Sequence, residues 1–195
     1  VVNGVIASMI VIGGIGWRVI NDLWANRFRL QRLRRLSLHT RLVLRTTAAL
    51  IVVGCIGLLI TEHFGYDANA LGDLSLWQKV QITLFQSITT RTAGFNTIPL
   101  SADTITDAGL LLMIVLMFIG ASPGGTGGGI KTTTFAILMA ATRSTLQDRD
   151  HVLLHRREIP DATVLRAVGV TLASVLFVVL MALLLGIGPT AGGVP

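Results

Sequence analysis

Apolar residues gather into long runs, and the lengths of those runs set the first expectations. Val1 to Ile20 is apolar and carries Gly4, Gly13, Gly14 and Gly16, which predicts a transmembrane helix with small residues for close helix packing. Leu42 to Thr61 is a second run of about twenty residues, enough at about 1.5 Å per residue to cross a hydrocarbon core of about 30 Å. A third span is expected over 105–145. A last run, about Ala162 to Leu185, follows Pro160 and ends in a tail from Gly186 to Pro195.

Segment 76–89 has a different pattern. Leu76, Trp77, Val80, Leu84, Phe85 and Ile88 recur near helical spacing, and Ser75 stands where an N-cap belongs. Such a helix extends only about 20 Å, too short to span and suited to re-entering the membrane. Gln78, Gln81 and Gln86 would be costly against lipid, which predicts that the helix is buried in protein.

The polar stretch 90–97 follows at the negative end of that helix's macrodipole, where a cation is favoured. An ion filter made of backbone carbonyls needs extended backbone, a supporting helix and a residue that tolerates positive φ. Thr92, Ala93, Gly94, Phe95 and Asn96 meet those needs: Gly94 supplies the conformation, Thr92 adds a hydroxyl, and Phe95 and Asn96 are placed to buttress. The alternative is an ordinary loop between two spans. Arg91 repels a cation unless it points away or pairs with a carboxylate, and Asp103 and Asp107 are the candidates nearest in sequence.

The third span is interrupted by Gly120-Ala121-Ser122-Pro123-Gly124-Gly125-Thr126-Gly127-Gly128-Gly129, after which helix is expected to resume from about Ile130. Six glycines and a proline in ten residues cannot continue a regular helix. Irregular backbone at membrane depth is tolerated only in protein or along a water-filled cavity, so the stretch is a pore-lining candidate. Three readings compete: a gate or constriction under the filter, a structural helix break, and a phosphate loop. The last is the weakest, because Ile130 separates Gly129 from Lys131 and no strand precedes the glycines.

Composition supports a membrane protein. Hydrophobic residues make up 52% and charged ones 13%, with a mean hydropathy of +0.72. Soluble domains carry about 25% charged residues. The net charge of +6 would suit nucleic acid, but the bases fall in loops beside apolar spans, with no basic face interleaved with aromatics, so no nucleic acid is expected. Eight arginines from Arg18 to Arg45 against Asp22 alone mark an inner loop, which could also dock a cytosolic partner or anionic lipid. The proposed outer segments sum to −3 and the inner ones to +9.

Cys55 lies in an apolar run and is expected to pack, and His151 and His155 fall in a charged loop, so neither disulfide nor metal site is predicted. The spans hold no carboxylate pair, no serine with an obvious base and no H-E-x-x-H motif, so the chain is not expected to be an enzyme. It opens at Val1 with neither methionine nor a basic n-region, so no signal peptide is expected, and a fragment or processed chain is.

Thr90-Arg91-Thr92-Ala93-Gly94-Phe95-Asn96-Thr97 and Gly120 to Thr134, in the order span, re-entrant helix, filter loop and broken span, resemble the Trk/Ktr/HKT potassium transporter superfamily, on its bacterial Trk/Ktr side. The resemblance implies an all-α membrane protein built from repeats of transmembrane helix, re-entrant pore helix, filter loop and second helix. On that pattern 1–20 ends a second repeat, 21–41 is a basic cytoplasmic loop, and 42–147 is a complete third repeat with span 42–61, pore helix 76–89, filter 90–97 and broken span 105–145. Residues 148–160 are then a cytoplasmic loop and 161–195 the first span of a fourth repeat. Thr92 to Asn96 would be one quarter of a potassium filter. Gly120, Ser122, Pro123, Gly124, Gly125, Thr126, Gly127, Gly128, Gly129 and Lys131 would form an intramembrane gating loop.

The resemblance also implies potassium as the transported ion, no bound cofactor, a homodimer in the bacterial inner membrane and a cytosolic ring of nucleotide-binding regulatory subunits. One full repeat and two partial ones cannot close a pore, so this chain alone is expected not to conduct. The rivals are a secondary transporter that binds its solute near the midplane on discontinuous helices, and a noncatalytic assembly subunit. A rocking carrier usually shows ionisable residues in its spans, which are scarce here.

Overall fold

The apolar run that opens the chain does not make one straight span. It forms helix α1, Val2–Ile15, and after Gly16 the chain turns through 95° into helix α2, Trp17–Ala25. Gly16 sits at φ 91° and ψ 148°, a conformation all but closed to residues with a Cβ, and this is what ends α1. The expected span over 1–20 therefore stops at Ile15, and the expected loop over 21–41 begins inside α2 and ends inside the next helix. The computed structural model describes residues 2–26, 36–64, 74–91, 93–97, 105–148, 151–154 and 157–187.

The second run belongs to α3, Leu38–Phe64, the third run is divided between α5, Asp107–Phe118, and α6, Thr132–Leu146, and the short helix between them is α4, Leu76–Thr89. Strands β1, Leu153–Leu154, and β2, Arg157–Glu158, and helix α7, Asp161–Ile187, complete the described elements. Apart from that hairpin, and the bridge between Ile119 and Ile130 described below, the regular structure described is helical. Among the described residues two helices are long and apolar enough to cross a membrane, α3 over Leu38–Glu62 and α7 over Asp161–Gly186; the bent pair α1 and α2 meets the same test taken together. The chain is a helical membrane protein.

Two compact units are formed, Val1–Ala136 and Ile137–Pro195. In the first, α3 is the central post, and α1, α2, α4 and α5 pack against it. At Gly54 a Cβ would run into Ser87 Oγ and the Leu116 side chain, so the missing methyl lets α3 meet both α4 and α5. Leu58, Ile105 and Met113 form one buried cluster with Leu112 against it. Leu50, Ile119 and Ile130 form another, with Phe118 and Phe135 against it. Cys55 is buried with Sγ 3.5 Å from Thr83 Oγ1, the packing role expected of it.

In the second unit the chain after α6 makes an antiparallel pair, Leu153 opposite Glu158 and Leu154 opposite Arg157. Ser144 Oγ donates to His151 O at 2.7 Å, and His151 Nδ1 lies 2.8 Å from Glu158 Oε1 in an exposed pair. The loop expected over 148–160 thus contains a small hairpin. His155 lies outside the described residues.

Candidate functional site

The short helix is fixed at its start by a capping box: Ser75 Oγ accepts from Gln78 N at 3.4 Å, and Ser75 N donates to Gln78 Oε1 at 3.0 Å. Its last turns are buried, with Thr83, Phe85, Gln86, Ser87, Ile88 and Thr89 all in the interior. Of the three glutamines expected to be buried, only Gln86 is. Gln78 serves the cap, and Gln81 is exposed on the side toward α1.

Where α4 ends, hydroxyl groups take over from the helical ladder. Thr90 Oγ1 donates to Ser87 O at 2.7 Å, Ser87 Oγ donates to Ile51 O on α3 at 2.9 Å, and Ala93 N donates to Thr89 O at 3.2 Å. Thr89 Oγ1 reaches forward to Phe95 O at 2.5 Å, and Gln86 Nε2 to Asn96 Oδ1 at 3.4 Å. Between these ties Gly94 adopts φ 75°, the left-handed conformation expected of it. Gly94, Phe95 and Asn96 are exposed and Ala93 is half-buried. Thr92 lies outside the described residues. Of the two residues expected to buttress the loop, Asn96 accepts from Gln86 through its side chain, while Phe95 is 54% exposed and is held by its carbonyl.

Arg91 points away from this backbone. Its side chain is 6% exposed and donates from Nη1 to Thr47 Oγ1 at 3.4 Å and from Nη2 to Thr47 O at 3.3 Å. The expected partners were Asp103, which lies outside the described residues, and Asp107. The α3 threonine that takes these bonds is 44 residues upstream, where sequence proximity gives no hint.

The glycine-rich stretch is a folded loop closed by its own backbone. A parallel bridge pairs Ile119 with Ile130: Gly120 N donates to Ile130 O at 3.0 Å and Ile130 N to Phe118 O at 3.0 Å. Ala121 N donates to Gly128 O at 3.2 Å and Gly125 N to Ser122 O at 3.0 Å. Gly124 and Gly129 have φ of 79° and 73°, and a Cβ on Gly129 would come within 2.8 Å of Phe118 O and Gly120 N. Ser122 Oγ and Thr132 Oγ1 share a fully buried hydrogen bond of 2.8 Å, and Lys131 Nζ donates back to Gly127 O at 2.9 Å. The N–H groups of Gly120, Ala121, Ser122, Gly125 and Thr126 are committed to carbonyls and Lys131 is folded back onto the loop.

This loop is seated on the kink between α1 and α2. Ser122 N donates to Gly14 O at 2.9 Å and Thr126 N to Gly13 O at 3.2 Å, satisfying carbonyls that the end of α1 leaves open, while Trp17 N donates to Gly124 O at 3.3 Å. Gly13, Gly14 and Gly16 are site residues that the sequence pattern suggested only as packing glycines. One turn of α3 serves both features: Thr47 accepts from the Arg91 guanidinium and Ile51 O from the Ser87 hydroxyl at the end of α4, and Leu50 packs on Ile119 and Ile130 at the base of the loop. Glu62 is buried at the end of α3. It accepts from Thr106 N at 3.3 Å and Thr106 Oγ1 at 2.9 Å at the start of α5.

The arrangement has relatives. Over 173 residues the chain is 35% identical to Ktr system potassium uptake protein B of Vibrio alginolyticus, covering 89% of this chain and 37% of that protein. Over 180 residues it is 33% identical to Ktr system potassium uptake protein B of Bacillus subtilis (strain 168), covering 92% and 38%. The chain therefore spans less than two fifths of the length of these relatives. The crystal structure of the potassium transporter TrkH from Vibrio parahaemolyticus superposes with a TM-score of 0.68 at 21% identity, over 95% of this chain and 39% of that one, a likeness of fold. Residues 1–189 match the family described as TrkH, cation transport protein, and the chain belongs to that family.

Proposed function

We propose that this chain is the central part of a potassium-uptake translocation subunit of the bacterial inner membrane, transporting the ion and catalysing no reaction. Potassium is its transported substrate, passing in single file along the carbonyls of Thr92 to Asn96. The loop from Gly120 to Lys131 is the intramembrane gate. Residues 42–147 make one complete repeat, 1–20 end the one before it, and 161–195 begin the next, so the remaining walls of the pore come from outside this chain. In the assembled protein those walls cover the exposed side of Gly94, Phe95 and Asn96. The subunit acts as a homodimer with a cytosolic nucleotide-binding regulatory ring, for which the arginine-rich inner segments are the docking candidates.

One observation carries the reading: a capped, buried helix too short to span ends in hydroxyl-tied backbone whose Gly94 holds φ 75°. The relatives' names, potassium uptake proteins, support the choice of ion. The test is uptake by the full-length protein carrying Gly94→Ser or a Gly124–Gly129 loop shortened by two residues. The first is expected to lower the preference for potassium over sodium, and the second to leave flux no longer controlled. Unchanged rate and unchanged preference in both would overturn the assignment.

A further inference from the structure

Helix α2 has two unlike sides. One is inward: Val19 is fully buried, Leu23 is half-buried, and the Asp22 carboxylate accepts from Ser37 N at 3.0 Å and Asn26 Nδ2 at 3.1 Å. The other carries Trp17 and Trp24, 69% and 72% exposed, with exposed Asn21 between them and exposed Arg18 at its flank. Seven residues apart, the two tryptophans stand in one stripe about 10 Å apart along the helix. Indoles gather at membrane–water boundaries because a flat apolar ring carries a polar edge, so that one side suits acyl chains and the other headgroups.

Direction and charge agree with such a boundary. Helix α2 runs at 95° to the apolar α1, so where α1 stands along the bilayer normal α2 lies in the membrane plane. After Asp22 no acid occurs before Glu62, while arginines follow at 27, 29, 32, 34, 35, 41 and 45. A second copy presenting the same face would bring the Arg18 charges of the two copies together, whereas an anionic leaflet neutralises them.

We propose that α2 is a lipid-binding helix of the cytoplasmic headgroup layer, with Trp17 and Trp24 seated at the acyl boundary and Arg18 bound to the phosphate of an anionic lipid. The site adjoins the gate loop, since Trp17 N is bonded to Gly124 O. The inference rests on the membrane orientation of the proposed function and not on its filter.

The test uses full-length protein in vesicles of phosphatidylcholine, alone or mixed with phosphatidylglycerol, and lipid brominated near the headgroup as quencher. An environment-sensitive fluorophore is placed by Trp17→Cys or Trp24→Cys in a Cys55→Ser background, other cysteines removed. Asn21→Cys, on the same face, keeps the test open if loss of a tryptophan unfolds the protein. Quenching at these positions that increases with phosphatidylglycerol is expected. Arg18→Gln should raise the phosphatidylglycerol fraction needed for half-maximal quenching about fivefold. Absence of quenching overturns the proposal, and cross-linking of Trp24→Cys between copies would assign the face to a second copy instead. Quenching indifferent to phosphatidylglycerol or to Arg18→Gln overturns the anionic site. Potassium selectivity with Gly94→Ser is measured separately, so failure of the filter leaves this result standing.

Discussion

Replacing Gly16 with alanine tests whether the glycine-rich loop depends on the kink beneath it. At φ 91° and ψ 148° an alanine is strained by about 1–3 kcal/mol. Its Cβ would also lie 2.6 Å from Pro123 O and 3.1 Å from Gly125 N, backbone atoms that can retreat only if the loop moves. That retreat stretches the bonds from Trp17 N to Gly124 O and from Ser122 N to Gly14 O, 3.3 and 2.9 Å long. A net hydrogen bond is worth about 0.5–1.5 kcal/mol, so loss of both brings the total to about 2–6 kcal/mol. Gly14→Ala is the comparison: a Cβ there meets nothing within 4 Å, and alanine gains up to about 1 kcal/mol over glycine in a helix. Thermal unfolding of the full-length protein in detergent, followed by intrinsic fluorescence, should show a midpoint lowered by about 2–6 °C for Gly16→Ala. For Gly14→Ala it should be unchanged or raised. Equal midpoints for the two variants would refute the dependence of the loop on the kink.

Gly54→Ala places a methyl against Ser87 Oγ and Leu116 and should cost about 1–3 kcal/mol in the same unfolding assay, with Gly4→Ala, whose Cβ meets nothing within 4 Å, close to neutral. Arg91→Lys keeps the charge but loses the fork that reaches both Thr47 Oγ1 and Thr47 O, and should destabilise by about 1–3 kcal/mol; an unchanged midpoint would show that the two bonds do not stabilise the end of α4 against α3. Asp22 of α2 is held below its ordinary carboxylate value of 3.8 first by a hydrogen bond from Thr40; burial opposes this as the next largest effect, and the Ser37 N–H, the Ser37 hydroxyl and Asn26 lower it further. Because its folded value is depressed, its stabilisation is present above about pH 4 and lost as pH falls through the folded value. Asp22→Asn should therefore lose less stability than the parent on acidification from about pH 5 to about pH 2, and parallel midpoint curves would contradict this.

What the sequence made legible was local. Ser75 and the helical spacing after it delimited α4 at 76–89, the residues observed, because a capping box and a buried face are encoded within one or two turns. Gly94 was identifiable because positive φ selects glycine, and the break in the third span because six clustered glycines and a proline exclude helix. The kink at Gly16 was not legible. Four glycines in an apolar run fit a packed straight helix equally well, and what requires the turn is a loop more than one hundred residues later. Arg91 to Thr47 and Glu62 to Thr106 are likewise contacts across 44 residues, invisible to periodicity. The exposure of Gln81 and Phe95 fits a chain that spans under two fifths of its relatives, since burial depends on surfaces supplied elsewhere.

Non-helical backbone at membrane depth must find hydrogen-bond partners inside the protein, and the two irregular stretches do so by different chemistry. Around Gly94 the partners are side chains: Thr89 holds Phe95 O, Gln86 holds Asn96, and Ser87 ties the helix to Ile51 O. These ties fix individual groups while leaving Gly94 exposed, the arrangement required where carbonyl positions must be set and still face an ion. Around the glycine loop the partners are mostly main chain, running to Gly13, Gly14 and Trp17 of another element and back across Ile119 and Ile130. Such bonds require close backbone approach but little side-chain identity. Removal of a hydroxyl should therefore perturb the first stretch most, as at Thr89→Val, and addition of a Cβ the second, as at Gly129→Ala, where Phe118 O and Gly120 N lie 2.8 Å from the new atom. The first stretch is thus set by particular side chains, and the second by close main-chain approach on the kink between α1 and α2.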